Sequence, residues 1–272
     1  MAFQLDFGAT LADDIVGDAA HMRHRTDTAI EKERRTVIAF VGLAFEARIA
    51  AGPGVLVVCR TAGRDLAAVA ENAVRQGYRG MISFGVAGGL AAHLRAGDWV
   101  VASTIRESQA VRPTDAVWSR KLLGLVDGAV HAPIIGVDAP VAKPAQKREL
   151  HRTTGAAAVD MESHVVARVA AAHRLAFAAV RVIVDPAHRE VPSAALLSMR
   201  PDGRADTWGV LRDVIASPAQ LSSLARIALD AATAHAEMLR VRELLGPHFG
   251  LHDPEVAEPS PFEARLAAST TG

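Results

Sequence analysis

Two carboxylates stand where this chain could use them for chemistry. Asp185 closes the run Ala176-Phe-Ala-Ala-Val-Arg-Val-Ile-Val, which carries one charge in nine residues. A carboxylate ending such a run is only partly hydrated, so its proton is held more tightly and a general-acid role becomes accessible. The competing reading is a loop cap before Pro186. Glu162 lies in Val159-Asp-Met-Glu-Ser, at a strand-to-helix junction. One acid there serves the helix as an N-cap or through its macrodipole, and Asp160 offers itself for that. The second is free for other work. In open α/β sheets ligands sit outside the carboxyl ends of strands, so two acids delivered there from separate segments point to a reaction site.

The turn Phe84-Gly-Val-Ala-Gly-Gly-Leu follows a strand pattern. Its glycines let backbone amides approach a ligand closely, although such turns are also common as plain structure. It lacks the G-x-G-x-x-G spacing of a dinucleotide site, and no phosphate loop of the Gly-Lys-Ser/Thr type occurs. Eleven histidines form no metal signature, so neither metal nor cofactor is expected. His188, three residues after Asp185, reads as a surface-loop residue. Cys59 lies inside Val55-Leu-Val-Val-Cys, where a thiol acts as a small hydrophobe. With no G-x-S-x-G elbow either, covalent catalysis is disfavoured.

These residues need a scaffold, and the hydrophobic pattern supplies one. Short apolar runs predict buried strands from residue 36, at 55–59, from Gly80, and at 98–103, 130–137 and 176–184. Helical periodicity predicts helices at 64–76, 116–126, 143–152, 162–173 and 218–245. Gly42 is expected to release the chain into a loop carrying Glu46 and Arg48. Strands alternating with helices indicate an α/β domain with a largely parallel or mixed sheet. Residues 1–35 are polar and read as an N-terminal extension, 36–245 as the domain, and 246–272, broken by Pro247, Pro254, Pro259 and Pro261, as a mobile tail.

At 272 residues the chain can bury one large core, and with 4 % aromatic residues that core is built from Ala, Val, Leu and Ile. Thirty basic residues balance thirty acidic ones, which argues against a nucleic-acid surface. A single cysteine excludes an intrachain disulfide and makes the cytoplasm the default location. The first 15 residues lack the pattern of a signal peptide, and charges interrupt every apolar stretch before it reaches membrane-spanning length.

Taken in order, five motifs resemble the purine nucleoside phosphorylase/nucleosidase superfamily over residues 36–245. They are Gly42 to Glu46, Gly85-x-Ala-Gly-Gly-Leu, Gly97-Asp-x-Val-Val, Val159-Asp-Met-Glu and Val180-Arg-x-Ile-x-Asp185. Methylthioadenosine/S-adenosylhomocysteine nucleosidases are the nearest enzymes in that resemblance. Gly42-Leu-Ala-Phe-Glu-Ala-Arg-Ile-Ala and Asp185-Pro-Ala-His look most like the hopanoid-associated phosphorylases, a subfamily implicated in removing adenine from adenosylhopane.

The resemblance implies a three-layer single α/β domain, with a central mixed, mostly parallel sheet flanked by helices. It implies that Asp185 protonates the leaving purine and that Glu162, with Met161, holds the ribose hydroxyls. Glu46 would orient or deprotonate an attacking water, Ala87 and Gly88 would supply backbone contacts, and Val141 would lie against the substrate. The superfamily's phosphorylases place an Arg before the glycine turn, where this chain has Met81-Ile-Ser-Phe, so hydrolysis is preferred to phosphorolysis; Arg48 or Arg181 could substitute. The expected partner is an adenosyl small molecule or lipid-linked nucleoside, with phosphate as a second possibility. A homo-oligomer is expected by analogy, and low aromatic content is compatible with transient membrane contact. The rivals are a phosphate-dependent nucleoside phosphorylase and a non-catalytic nucleoside-binding protein.

Overall fold

The computed structural model describes residues 37–60, 65–191 and 221–251. The expected extension 1–35, and the tail beyond residue 251, lie outside the described residues. Eight strands form one mixed sheet: β1 (Val37–Val41), β2 (Val55–Cys59), β3 (Gly80–Gly89), β4 (Trp99–Glu107), β5 (Ala110–Pro113), β6 (Val130–Gly136), β7 (Ala158–Asp160) and β8 (Ala176–Asp185). Their order is β2-β1-β3-β7-β6-β4-β5, and β8 bridges β3 and β4. The pairs β1–β2, β1–β3, β3–β8, β4–β6 and β6–β7 are parallel, while β3–β7, β4–β5 and β4–β8 are antiparallel. Strands β3, β7, β6, β4 and β8 therefore close on themselves as a ring.

Helices cover both faces. Helix α2 (Leu66–Arg75) and α5 (Ser163–Ala172) bury Leu66, Ala70, Val166 and Ala170 against one side of the sheet. On the other side α1 (Ala44–Ala50), α3 (Ala116–Leu125) and α6 (Leu221–Leu245) bury Ile49, Trp118, Leu122, Met238 and Val241. This is the three-layer arrangement expected from strands that are apolar on both faces. Helix α4 (Pro144–Thr154) packs apart, with Leu150 against a small cluster of Leu90, Ile135, Ala156 and Val159. Among the described residues no helix is long and apolar enough to cross a membrane.

Three sequence expectations need correction. The glycine segment Gly85–Gly89 is not a turn following a strand but the second half of β3, paired with β8 and β7. The segment after Gly42 is not a loop: α1 starts at Ala44 and carries Glu46 in its first turn. No polar residue marks that start, because Leu43 stands at the N-cap and the Glu46 carboxylate itself accepts from the Leu43 amide at 2.7 Å. The body also does not stop at 245. A 3₁₀ turn at Pro247–Gly250 follows α6 and drives Phe249, fully buried, into the core beside Phe84. Trp118 Nε1 donates to the Phe249 carbonyl at 2.8 Å, and the Arg242 guanidinium lies 4.5 Å from the ring centre. Pro247 ends the helix, but burying an aromatic ring, worth about 1.5–3 kcal/mol, keeps the next residues attached.

Candidate active site

The expected residues are set around the C-terminal halves of β3 and β8, which run in register as parallel partners from Gly80 and Ala176 onward. Arg181 pairs with Gly85, and after a shift between Ala87 and Gly88 the strand end brings Asp185 opposite Gly88. Arg181 and Asp185 are an even number of residues apart and so share a face of β8. Four residues at about 3.3 Å each separate them by roughly 13 Å.

Arg181 organises the inner end. Its side chain is fully buried, with Nε 2.7 Å from Asp160 Oδ2 and Nη2 3.2 Å from Glu162 Oε2. Nη2 also donates to Ser83 Oγ at 2.5 Å. Burial alone would lower the guanidinium's pKa, but the carboxylates of Asp160, Glu162 and Glu46 outweigh it and hold Arg181 above its ordinary value. Asp160 also tethers the start of α5, its Oδ1 accepting from the Ser163 amide at 3.1 Å, while Glu162 stands at the N-cap position without a side-chain cap bond. That leaves Glu162 for Arg181 on one oxygen and, on the other, for Arg60, which reaches Oε1 at 3.2 Å from just beyond β2. Two guanidiniums hold the Glu162 carboxyl group in place, with lone pairs left to accept hydroxyl donors.

Glu46 joins the same group from α1. Its Oε2 accepts from the Gly42 and Leu43 amides and its Oε1 from the Val86 amide, each at 2.7 Å. Burial pushes its pKa up to about 7, opposed by Arg181 and reinforced by the neighbouring Glu162 charge. A carboxyl group that gains and loses its proton near neutrality suits general-base work on water.

Asp185 stands at the outer end, its carboxylate lying where a Cβ on Gly88 would be 3.3 Å from Oδ2. Burial raises its pKa, and Lys147, 2.6 Å from Oδ2, opposes the rise. Ala87 is buried in β3, Gly88 half-buried, and Met161 half-buried between Asp160 and Glu162. Val141 does not join either carboxylate group. It packs near Leu90 and Val159 and lines an open groove of about 810 Å³ between residues 137–141 and α4, together with Val137, Pro140 and Leu150. The Val191 amide, in the segment following Asp185, donates to the Ala142 carbonyl at 3.0 Å and ties the two segments together. Arg48 is exposed on α1, and His188 is exposed as expected of a loop residue.

The sequence profile described as the Phosphorylase superfamily matches residues 15–216. The chain belongs to that superfamily. Among solved structures, the phosphorylase-superfamily fold seen here is similar to futalosine hydrolase of Helicobacter pylori strain 26695. The TM-score is 0.53, with 15 % identity over 77 % of this chain and 97 % of that one. It is also similar to the 5′-methylthioadenosine/S-adenosylhomocysteine nucleosidase of H. pylori with butyl-thio-DADMe-Immucillin-A (TM-score 0.54, 14 % identity, 77 % and 98 % coverage). The corresponding nucleosidase of Colwellia psychrerythraea 34H, in complex with adenine, gives a TM-score of 0.51 at 15 % identity, covering 76 % and 96 %. Identity at this level establishes a shared fold. No curated protein sequence matches significantly.

Three participants escaped sequence reasoning. Ser83 was visible only as a lone hydroxyl in an apolar run, and Arg60 only as the residue after β2. Lys147 sits in the polar stretch Gln-Lys-Arg-Glu, where it looks like a surface residue; its one signal is the helical face it shares with Leu150.

Proposed function

We propose that this chain cleaves the N-glycosidic bond of an adenosyl compound, releasing adenine. One observation carries the reading: two carboxyl groups, Glu162 at the β7–α5 junction and Asp185 at the end of β8, meet different partners. Glu162 is gripped by the guanidiniums of Arg60 and Arg181, whereas Asp185 is buried at a strand end with Lys147 on one oxygen, and burial makes it hold its proton more tightly. Expelling a purine demands a proton on the base and leaves positive charge on the sugar. Asp185 supplies the proton to nitrogen 7 as the bond from C1′ breaks, and Glu162, with Met161, takes the ribose hydroxyls and stabilises the cationic sugar. Glu46 accepts a proton from the water whose oxygen bonds to C1′. Ala87 and Gly88 provide backbone contacts, and Val141 lies against the substrate. The names of similar structures, a futalosine hydrolase and nucleosidases with adenine or a nucleoside analogue bound, support this class of substrate.

The finer reading is adenosylhopane as substrate, with ribosylhopane as product. It is supported by the likeness of residues 42–50 and 185–188 to the hopanoid-associated subfamily and by the largely apolar groove beside Val141. Hydrolysis is favoured, since Arg48 is exposed and Arg181 is engaged by carboxylates. Phosphorolysis is the second reading because Arg60, 39 % exposed beside Glu162, offers a guanidinium to an anion. The test is incubation with adenosylhopane and with methylthioadenosine, with and without phosphate, followed by product identification. Adenine release at the same rate in phosphate-free buffer supports hydrolysis, and a sugar 1-phosphate establishes the phosphorylase. Tight adenine binding with no release from either donor overturns the enzymatic reading.

A further inference from the structure

The side chain of Lys147 is fully buried, and its ammonium reaches four oxygens. Three are carbonyls, of Asp185 at 3.0 Å, Pro186 at 3.1 Å and Arg189 at 3.0 Å. The fourth and nearest is Asp185 Oδ2, at 2.6 Å. All four are acceptors, an environment that suits a charged ammonium with three protons and no lone pair to place. Burying a whole ammonium is costly, and an apolar side chain could tie α4 to the sheet more cheaply. The short contact to Oδ2 is what a tie of that kind would not need.

We propose that Lys147 is a positioning residue for the reaction: it grips Oδ2 and the segment after β8, leaves Oδ1 to face the leaving base, and stabilises the carboxylate that remains once Asp185 has given up its proton. This rests on the reading of Asp185 as the proton donor. The step balances simply. The proton leaves Oδ1 for the base nitrogen, the electron pair stays on the carboxyl group, and the fixed ammonium neutralises the resulting charge without itself losing a proton. Among the described residues, the other charged group that acts on Asp185 is Asp230 on α6, which opposes ionisation, and Arg189 partly answers it with Nε 2.7 Å from Asp230 Oδ2. From the sheet, Gly88 of β3 lies beside the Asp185 carboxyl group, with Val159 of β7 next to it.

The experiment is a double-mutant cycle on adenine release from methylthioadenosine, using Lys147→Met, Asp185→Asn and the pair combined. The combined variant leaves no unmatched buried charge, so the comparison of Asp185→Asn with the pair reads out even if Lys147→Met alone fails to fold. If Lys147 works through Asp185, adding Lys147→Met to Asp185→Asn changes the rate less than about twofold. A further loss of about tenfold in the double variant overturns the proposal and makes Lys147 a structural tie. Where Lys147→Met folds, its rate falls by about tenfold and the alkaline limb of its pH–rate profile moves to higher pH, because the charge favouring ionisation has gone. A limb that stays in place overturns the proposal as well. Its rate should fall much less on p-nitrophenyl riboside, whose leaving group needs no proton, and equal losses on both donors argue for structure alone. Wild-type adenine release from Asp185→Asn is a different outcome: it removes the proton donor itself, and the role assigned to Lys147 with it.

Discussion

The Cβ that Gly85 lacks would stand 2.5 Å from Glu46 Oε1 and 2.8 Å from Arg181 Nη1, at a backbone φ of +149°. Glycine here makes room for a carboxylate and a guanidinium to meet over β3. Gly85→Ala should destabilise the fold by about 2–4 kcal/mol, combining overpacking with backbone strain. Thermal unfolding measures this, and a melting temperature within a degree of wild type contradicts it.

Asp185→Asn keeps an acceptor for Lys147 but has no acidic proton to give. Turnover of an adenosyl donor should drop by about 10²-fold or more, with adenine affinity by calorimetry changed only a few-fold. Turnover equal to wild type takes Asp185 out of the mechanism.

Glu162→Gln removes the anion between Arg60 and Arg181. Because this carboxylate is assigned to the sugar both before and during bond breaking, KM should rise and kcat should fall. If neither constant moves, Glu162 serves only to neutralise the two guanidiniums.

Glu46 links stability to pH. Its folded-state pKa is raised from 4.5 to about 7, so between those values the native protein keeps a proton that the unfolded chain releases. Stability contributed below pH 4.5 is lost as pH climbs through 7, by about 3 kcal/mol as an order of magnitude. Asp185, also raised, acts in the same direction. Urea unfolding at pH 5 and pH 8 should therefore show a smaller difference in Glu46→Gln than in wild type. An identical difference in both proteins places the proton elsewhere. Catalysis runs the other way, since a base must be ionised, and rate should rise across pH 7.

The strands of this sheet are legible in the sequence because most are buried on both faces and read as unbroken apolar runs ending at glycine or charge, as β1 and β8 do. Three features were not legible. Helix α1 lacks a polar N-cap, and its cap is supplied from inside the first turn by Glu46. Strands β5 and β7 are four and three residues long, too short to carry a period. Phe249 follows a proline that correctly marks a helix end yet does not end the packed body. Within the site, Asp185 and Glu162 stood out because apolar or capped surroundings made their charges conspicuous. Lys147 and Arg60 carry charges in polar surroundings, so only three-dimensional proximity reveals them.

The hydrogen-bonded circuit through β3, β7, β6, β4 and β8 acts as a hoop. Pulling β8 away from β3 would have to break its ladder to β3 and, at Val180–Val182, its ladder to β4 as well, so the middle of β8 is held along both margins. Accommodation of differently sized molecules is left to the segments that join the staves, and amide protons of β3 and β8 should be among the slowest in the molecule to exchange with solvent.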